Sequence, residues 1–443
     1  MRINLPRVLV AGLLVILLTT GVYYIPPVHD HLAWRVDEWR TNLHYYFNPP
    51  DQAVFQPSQQ SQLATIVAAT MQMYQTPDLP TATVTPSPGP TFAPTATSTP
   101  LPASVTLSGV KYEDQHGRWN YCGPATFSMA LRFWGWNGNR DVIGQAVMPG
   151  NTDWNGKPAN KDKNAMPYEF QDYITSKVPG MNAIIRLGGD INVVKRLLAG
   201  GFPVVAEKGY YETDASGKFS WMGHYQFITG YNDATNTLLV QDTYLDGPNF
   251  KIKYDKFVEN WRAFDYVFVV VYPYDRESQV LTLLGDYADD GWASTHALTV
   301  AQSEANSLTG INQYFAWFNV GTSYVALNRY VEAAGAYDRA FQLYAALGGD
   351  QSTRPFRMLW YQTGPYKAYF YSHRYTDVLN LANTTLNNTI AAPVLEESLY
   401  WRGQAEYLTG DTTDAIADYR AALKVHPNWG PATQALQDLG VAP

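Results

Sequence analysis

Residues 115–131 read QHGRWNYCGPATFSMAL, and this stretch decides the class of the first globular region. Pro124 stands where the first turn of a helix tolerates proline, and Phe127, Ala130, Leu131 and Trp134 recur at helical spacing to form an apolar face. Cys122 is therefore expected at a helix N-terminus. The first backbone N–H groups of a helix have no intrahelical acceptor and the helix dipole favours an anion, so a thiol placed there is biased towards thiolate. Gly123 lets a substrate approach the backbone closely. Cys122 is also the single cysteine of 443 residues, so no intrachain disulfide accounts for it.

Downstream, DINVVKRLLAGG (Asp190 to Gly201) reads as a capped helix ending on glycines. Strand-like runs follow at Pro203–Glu207, His224–Tyr231, Thr237–Asp242 and Tyr266–Tyr272. Helices first and strands afterwards indicate an α+β fold with an antiparallel sheet, and Asn232-Asp233 is a plausible hairpin turn. A hairpin through that turn brings His224, which begins one strand, and Asp242, which ends the next, to the same end. His224 can then serve as base to Cys122, with Asp242 holding the imidazole in its useful tautomer. Gln115, seven residues before the cysteine, can join the Cys122 N–H as an oxyanion donor. The bland alternative is a satisfied sheet histidine, the usual state of a histidine met at random. His116 is nearer Cys122 in sequence, and Asp233 and Asp246 compete with Asp242.

QHGRWNYCGPATFSMAL, GHYQFITGY (Gly223 to Tyr231) and VQDTY (Val240 to Tyr244) together resemble the papain-like cysteine peptidases, in the branch that contains the bacterial double-glycine leader peptidases of bacteriocin exporters. The resemblance runs from about Val105 to Pro273 and keeps the order Gln, Cys, His, Asp. It implies Cys122 as nucleophile, His224 as general base, Asp242 as its orienting acid and Gln115 as oxyanion donor. No transporter membrane domain or ATPase motif follows, so export-coupled leader cleavage is not implied. Residues 137–167 exceed what a minimal domain needs, either as a substrate-side lid or as a surface insertion.

From roughly Leu281 the chain is helical and repetitive. Trp317, Gly321, Tyr324, Ala333, Tyr337 and Ala340 set a frame that returns at Gly403, Ala415, Tyr419, Ala422 and Pro427, with a weaker copy through Tyr366, Tyr369, Val378, Ala382 and Leu386. The pattern resembles tetratricopeptide repeats, which pack helix pairs through small residues and large rings and usually capture peptides in a groove.

At the other end, Val8–Ile25 is an uncharged run of 18 residues, long enough to cross the hydrocarbon layer, with Arg2 and Arg7 before it. No small-x-small cleavage site follows, so an uncleaved anchor is expected, leaving the rest of the chain extracytoplasmic. Trp34–Phe47 suggests a short helix. In Thr76–Ala103, Thr and Pro fill 16 of 28 positions, the composition of a stiff linker. The expected organisation is a signal anchor (1–27) in the bilayer, a partly helical stalk (28–75), a linker (76–103), a papain-like α+β peptidase domain (104–275) and an all-α tetratricopeptide-repeat domain (276–443).

The net charge of −8 and the lack of a basic run argue against a nucleic-acid partner. No cofactor motif is present. His29 and His31 are too isolated for a metal, and Asp286, Asp289 and Asp290 before Gly291 lack the closing Glu of a calcium loop. The leading expectation is peptide-bond hydrolysis outside the cytoplasm, with the repeats recruiting a protein partner or substrate. A catalytically silent binding scaffold and a thiol-dependent acyl or amide transferase are the alternatives.

Overall fold

The computed structural model describes residues 17–25, 54–58, 100–118, 120–149, 165–213, 219–244, 246–348, 354–387 and 395–443, with single helical positions at 28, 36, 39, 43 and 47. Most of the Val8–Ile25 segment, His29 and His31, nearly all of Trp34–Phe47, and the linker lie outside the described residues. Leu17 to Tyr23 are helical and mostly exposed. Among the described residues no helix is long and apolar enough to cross a membrane.

Seven strands form one antiparallel sheet: β1 (Ser104–Thr106), β2 (Met181–Arg186), β3 (Val204–Thr213), β4 (Phe219–Asn232), β5 (Thr237–Asp242), β6 (Phe250–Lys253) and β7 (Phe268–Pro273). Their order is β2-β7-β3-β4-β5-β6, with β1 paired to the end of β4. Successive residues of a strand point to opposite faces. Phe227 enters a core with helices α1 (Cys122–Phe133), α2 (Arg140–Val147) and α3 (Pro167–Lys177), through Phe127, Leu131, Ile143 and Phe170. Its neighbour Ile228 enters the opposite core with α4 (Ile191–Ala199), through Val193, Val194, Leu197 and Leu198. Burial on both faces explains why the central β7 reads as the unbroken apolar run FVVVY.

After α5 (Tyr254–Trp261) and β7, α6 (Glu277–Leu284) places Val280 and Leu284 in the core on the α4 side of the sheet, so the helices after Pro273 begin by closing the sheet. The remaining helices are α7 (Asp290–Ser307), α8 (Gly310–Ala326), α9 (Tyr330–Ala346), α10 (Met358–Tyr361), α11 (Gly364–Tyr371), α12 (Tyr375–Asn387), α13 (Glu396–Thr409), α14 (Thr412–Val425) and α15 (Gly430–Asp438). Asp289 caps α7 by accepting from Trp292 N–H, and Asp290 pairs with Arg186. The repeat frame has a packing cause. A Cβ at Gly321 would lie 2.6 Å from the ring of Tyr337, and one at Gly403 would lie 2.8 Å from that of Tyr419. Each glycine clears space for the buried tyrosine of its partner helix.

The sheet and the repeats share a core. Trp221 of β4 is 1% exposed, and its ring lies 5.8 Å from each of Phe264, Phe315 of α8 and Tyr361 of α10. Around it, Asn319 donates to the Arg262 carbonyl (2.6 Å), Gln362 to the Ala263 carbonyl (2.7 Å) and Ser323 to Asp265 (2.7 Å). β3 and β4 are longer than their sequence suggests, and in the added part Trp221 and Gly223 are buried against Phe264 and Tyr361. Truncating a fully packed Trp leaves a large cavity, so Trp221→Ala is expected to cost about 3–5 kcal/mol of unfolding free energy. Urea unfolding of the two proteins checks this, and an unchanged midpoint would contradict the shared core.

Candidate active site

Cys122 is the first residue of α1, whose opening turn is closed by the Ala125 N–H donating to the Tyr121 carbonyl (2.9 Å). The helix is pinned to the sheet by Thr126, which donates to the Tyr225 carbonyl (3.3 Å), and by the Trp134 indole, which donates to the Val271 carbonyl (2.7 Å). The thiol is buried and carries no disulfide. His224, on β4, lies directly opposite Lys208 of β3. β5 ends at Asp242, the register partner of Gln226, so the hairpin delivers the carboxylate to the side chain two residues before that partner. His224 Nε2 is 3.0 Å from Asp242 Oδ2.

Asp242 accepts two further hydrogen bonds, from the Gln226 amide (2.6 Å) and from the Tyr244 N–H (2.9 Å). A carboxylate can only accept, so its contact fixes the proton on Nε2 of the ring. The Cys122 thiol lies close enough to the imidazole to add to its electrostatics. Burial alone would pull the His224 pKa down. The Asp242 charge and hydrogen bond, joined by Cys122, outweigh it and raise the pKa from 6.5 to about 9. Burial pushes Asp242 up, but His224, the buried Lys208 ammonium and the Gln226 amide hold it well below the usual carboxylate range. Lys208 itself is lowered, chiefly by desolvation.

Gln115 is held by Thr243, the residue after Asp242. Its N–H donates to the Thr243 carbonyl (2.8 Å) and its Oε1 accepts from the Thr243 hydroxyl (2.9 Å). The side-chain oxygen is thus occupied, which leaves the amide NH2 as the donor end. Tyr112, three residues earlier, donates to the Asp242 carbonyl (2.8 Å), so this segment is laced to the end of β5. Of the competitors, His116 is exposed beside Asp114 and Tyr244. Asp233 pairs with Lys195 (2.7 Å) and Tyr254 (2.8 Å), away from His224. Asp246 is exposed, and no hydrogen bond joins it to the ring among the described residues.

Several neighbours carried no sequence signal. Glu207 is buried opposite Tyr225 and interacts with its hydroxyl, while that hydroxyl donates to the Ala165 carbonyl (3.1 Å). One phenolic proton cannot serve both a carbonyl and an ionised carboxylate, and a neutral Glu207 that donates to Tyr225 satisfies the chain. Burial, then the nearby Cys122 charge, push its pKa well above the usual value in the same sense. Tyr361 of α10 packs its ring on Gly223, beside His224, and its hydroxyl interacts with the Gly223 backbone; it also lies within electrostatic reach of Cys122. Glu169 of α3, Glu396 of α13 and His426 bring ligand-type atoms within 4.8 Å of one another where the two regions meet, with His426 Nδ1 3.0 Å from Glu396. These three are far apart in sequence, so no spacing motif announces them.

The sheet and its helices form a papain-like α+β fold, with Cys122 at a helix N-terminus and a His224–Asp242 pair on the neighbouring hairpin. Residues 107–269 match the Peptidase_C39 like family, and residues 397–428 match the Tetratricopeptide repeat. Residues 107–269 accordingly form a C39-like peptidase region, and a tetratricopeptide-repeat region follows it in the same chain. Similar solved structures include a C39-like peptidase from Bacillus anthracis, at 15% identity and TM-score 0.30, covering 38% of this chain and 97% of that one. Xylellain, a cysteine protease from Xylella fastidiosa, is likewise 15% identical with TM-score 0.29, covering 51% and 94%. No curated protein matches the chain.

A folded pKa above the unfolded value means that the His224 interactions stabilise the protein fully below pH 6.5, and that this contribution is lost as pH rises through about 9. Ring-proton NMR titration of His224 is expected to show a midpoint near 9 in the wild type and a clearly lower one in Asp242→Asn. A wild-type midpoint at or below 6.5 would refute the buried pair.

Proposed function

We propose that this chain is a membrane-tethered cysteine peptidase acting outside the cytoplasm, with Cys122 as nucleophile, His224 as general base and acid, Asp242 as the group that orients the imidazole, and Gln115 as oxyanion donor. The observation that carries the reading is the His224–Asp242 pair at 3.0 Å, in electrostatic reach of the Cys122 thiol at the start of α1. In this mechanism the imidazole takes the thiol proton and the sulfur attacks the carbonyl carbon of the scissile amide. The tetrahedral oxyanion is met by the Cys122 N–H and the Gln115 amide. Collapse breaks the C–N bond, the leaving amine takes the proton from His224, and a thioester remains on Cys122. Water, deprotonated by His224, then attacks the thioester and releases the acid. The raised pKa of Glu207 supports the scheme by disfavouring a second negative charge near Cys122.

The anchoring part of the proposal rests on the apolar Val8–Ile25 run behind Arg2 and Arg7. The repeats are assigned to recruiting a protein partner or substrate.

Mass-spectrometric profiling of a peptide library tests the chemistry. The wild type should cleave a defined subset, Cys122→Ala should lose at least about 10³-fold in rate, and added amine should leave the products as free acids. Amide products with added amine would instead establish transfer, and equal cleavage by Cys122→Ala would overturn the nucleophile.

A further inference from the structure

Residues 54–58, Val-Phe-Gln-Pro-Ser, come well before the peptidase-like region in sequence, yet they lie on the helical repeats. Phe55 and Pro57 are buried while Gln56 and Ser58 are exposed, the alternation of an extended chain laid along a surface. The Phe55 ring, 6% exposed, meets Phe341 of α9 edge-on at 4.9 Å and Tyr369 of α11 at 6.0 Å. Three residues later the Ser58 N–H donates to Oδ1 of Asp377 in α12 (3.2 Å).

The receiving side is built. Asp377 Oδ2 is held by Arg374 (2.8 Å), which also pairs with Asp338 (2.8 Å), and the Tyr369 hydroxyl donates to Asp338 as well (3.0 Å). This buried network fixes the aromatic wall and turns Oδ1 of Asp377 towards the arriving main chain. The segment itself supplies no helix or strand to the fold. It offers one aromatic anchor, one proline and one main-chain donor, which is how a groove takes an extended peptide.

We infer that the groove formed by α9, α11 and α12 is a recognition site for extended Phe-x-Pro peptides, and that residues 54–58 fill it in cis as an exchangeable strap. The 45 residues between Ser58 and Ser104 include the Thr/Pro-rich tract. A tether of that length holds the strap at an effective concentration on the order of 1 mM, high enough to occupy the groove and low enough for a partner segment of the same chemistry to displace it. The groove belongs to the apolar cluster that also contains Tyr361 and Trp221, so its occupant packs into the same core that reaches Gly223 beside His224. The inference is independent of the catalytic reading.

The test uses full-length protein in detergent and a fluorescent peptide of residues 51–60, DQAVFQPSQQ. Phe55→Ala protein should bind the peptide at least about tenfold more tightly than wild type, because the strap no longer competes. A peptide with Ala in place of the Phe should bind neither protein. A second readout needs no variant: millimolar unlabelled peptide should speed amide exchange across residues 54–58 of the wild type by about tenfold. Equal affinity for both proteins, undiminished binding of the Ala peptide, or unchanged exchange would each overturn the inference.

Discussion

The state of the His224 ring depends on a carboxylate that can only accept. Asp242 lies where β5 ends, within reach of a residue that the β4–β5 register puts on the same face, and three donors converge on its two oxygens. That convergence keeps Asp242 ionised despite its burial, and the ionised carboxylate keeps a buried imidazole protonated to unusually high pH. Strand register and charge therefore favour one ionisation state of the His224–Asp242 pair.

Around this pair the chain keeps further charge under control. Lys208 faces Asp242 from β3 without a direct ion pair among the described residues, and burial pushes the pKa of Glu207, on the opposite face of the same strand, well above the usual value. The repeats contribute directly: Tyr361 covers Gly223, and Trp221 is sandwiched between peptidase-like and helical residues. The second region is thus a structural partner of the site, joined to it by one continuous apolar cluster.

Much of this was legible in the sequence, for identifiable reasons. The α1 start shows through Cys122-Gly123-Pro124 and the apolar spacing after it, and the β4–β5 hairpin shows through strand-like runs on either side of Asn232-Asp233. The repeat frame shows because Gly321 and Gly403 clear space for Tyr337 and Tyr419. The outer halves of β3 and β4 did not show, since Gly209 and Trp221 there are covered by residues distant in sequence, Ala263, Phe264, Phe315 and Tyr361. Gln226, Lys208 and Glu207 were hidden for a different reason: a polar residue in a strand pattern reads the same whether it meets solvent or a buried partner. Phe55, Glu169, Glu396 and His426 depend on contacts between distant parts of the chain, which local periodicity does not encode.

The central proposal is that His224 is the base that activates Cys122. The pH dependence of Cys122 alkylation by iodoacetamide, in wild type and in His224→Ala, tests it most directly. The account predicts fast alkylation of the wild type across neutral pH and alkylation at least about tenfold slower in the variant. Superimposable profiles would contradict it.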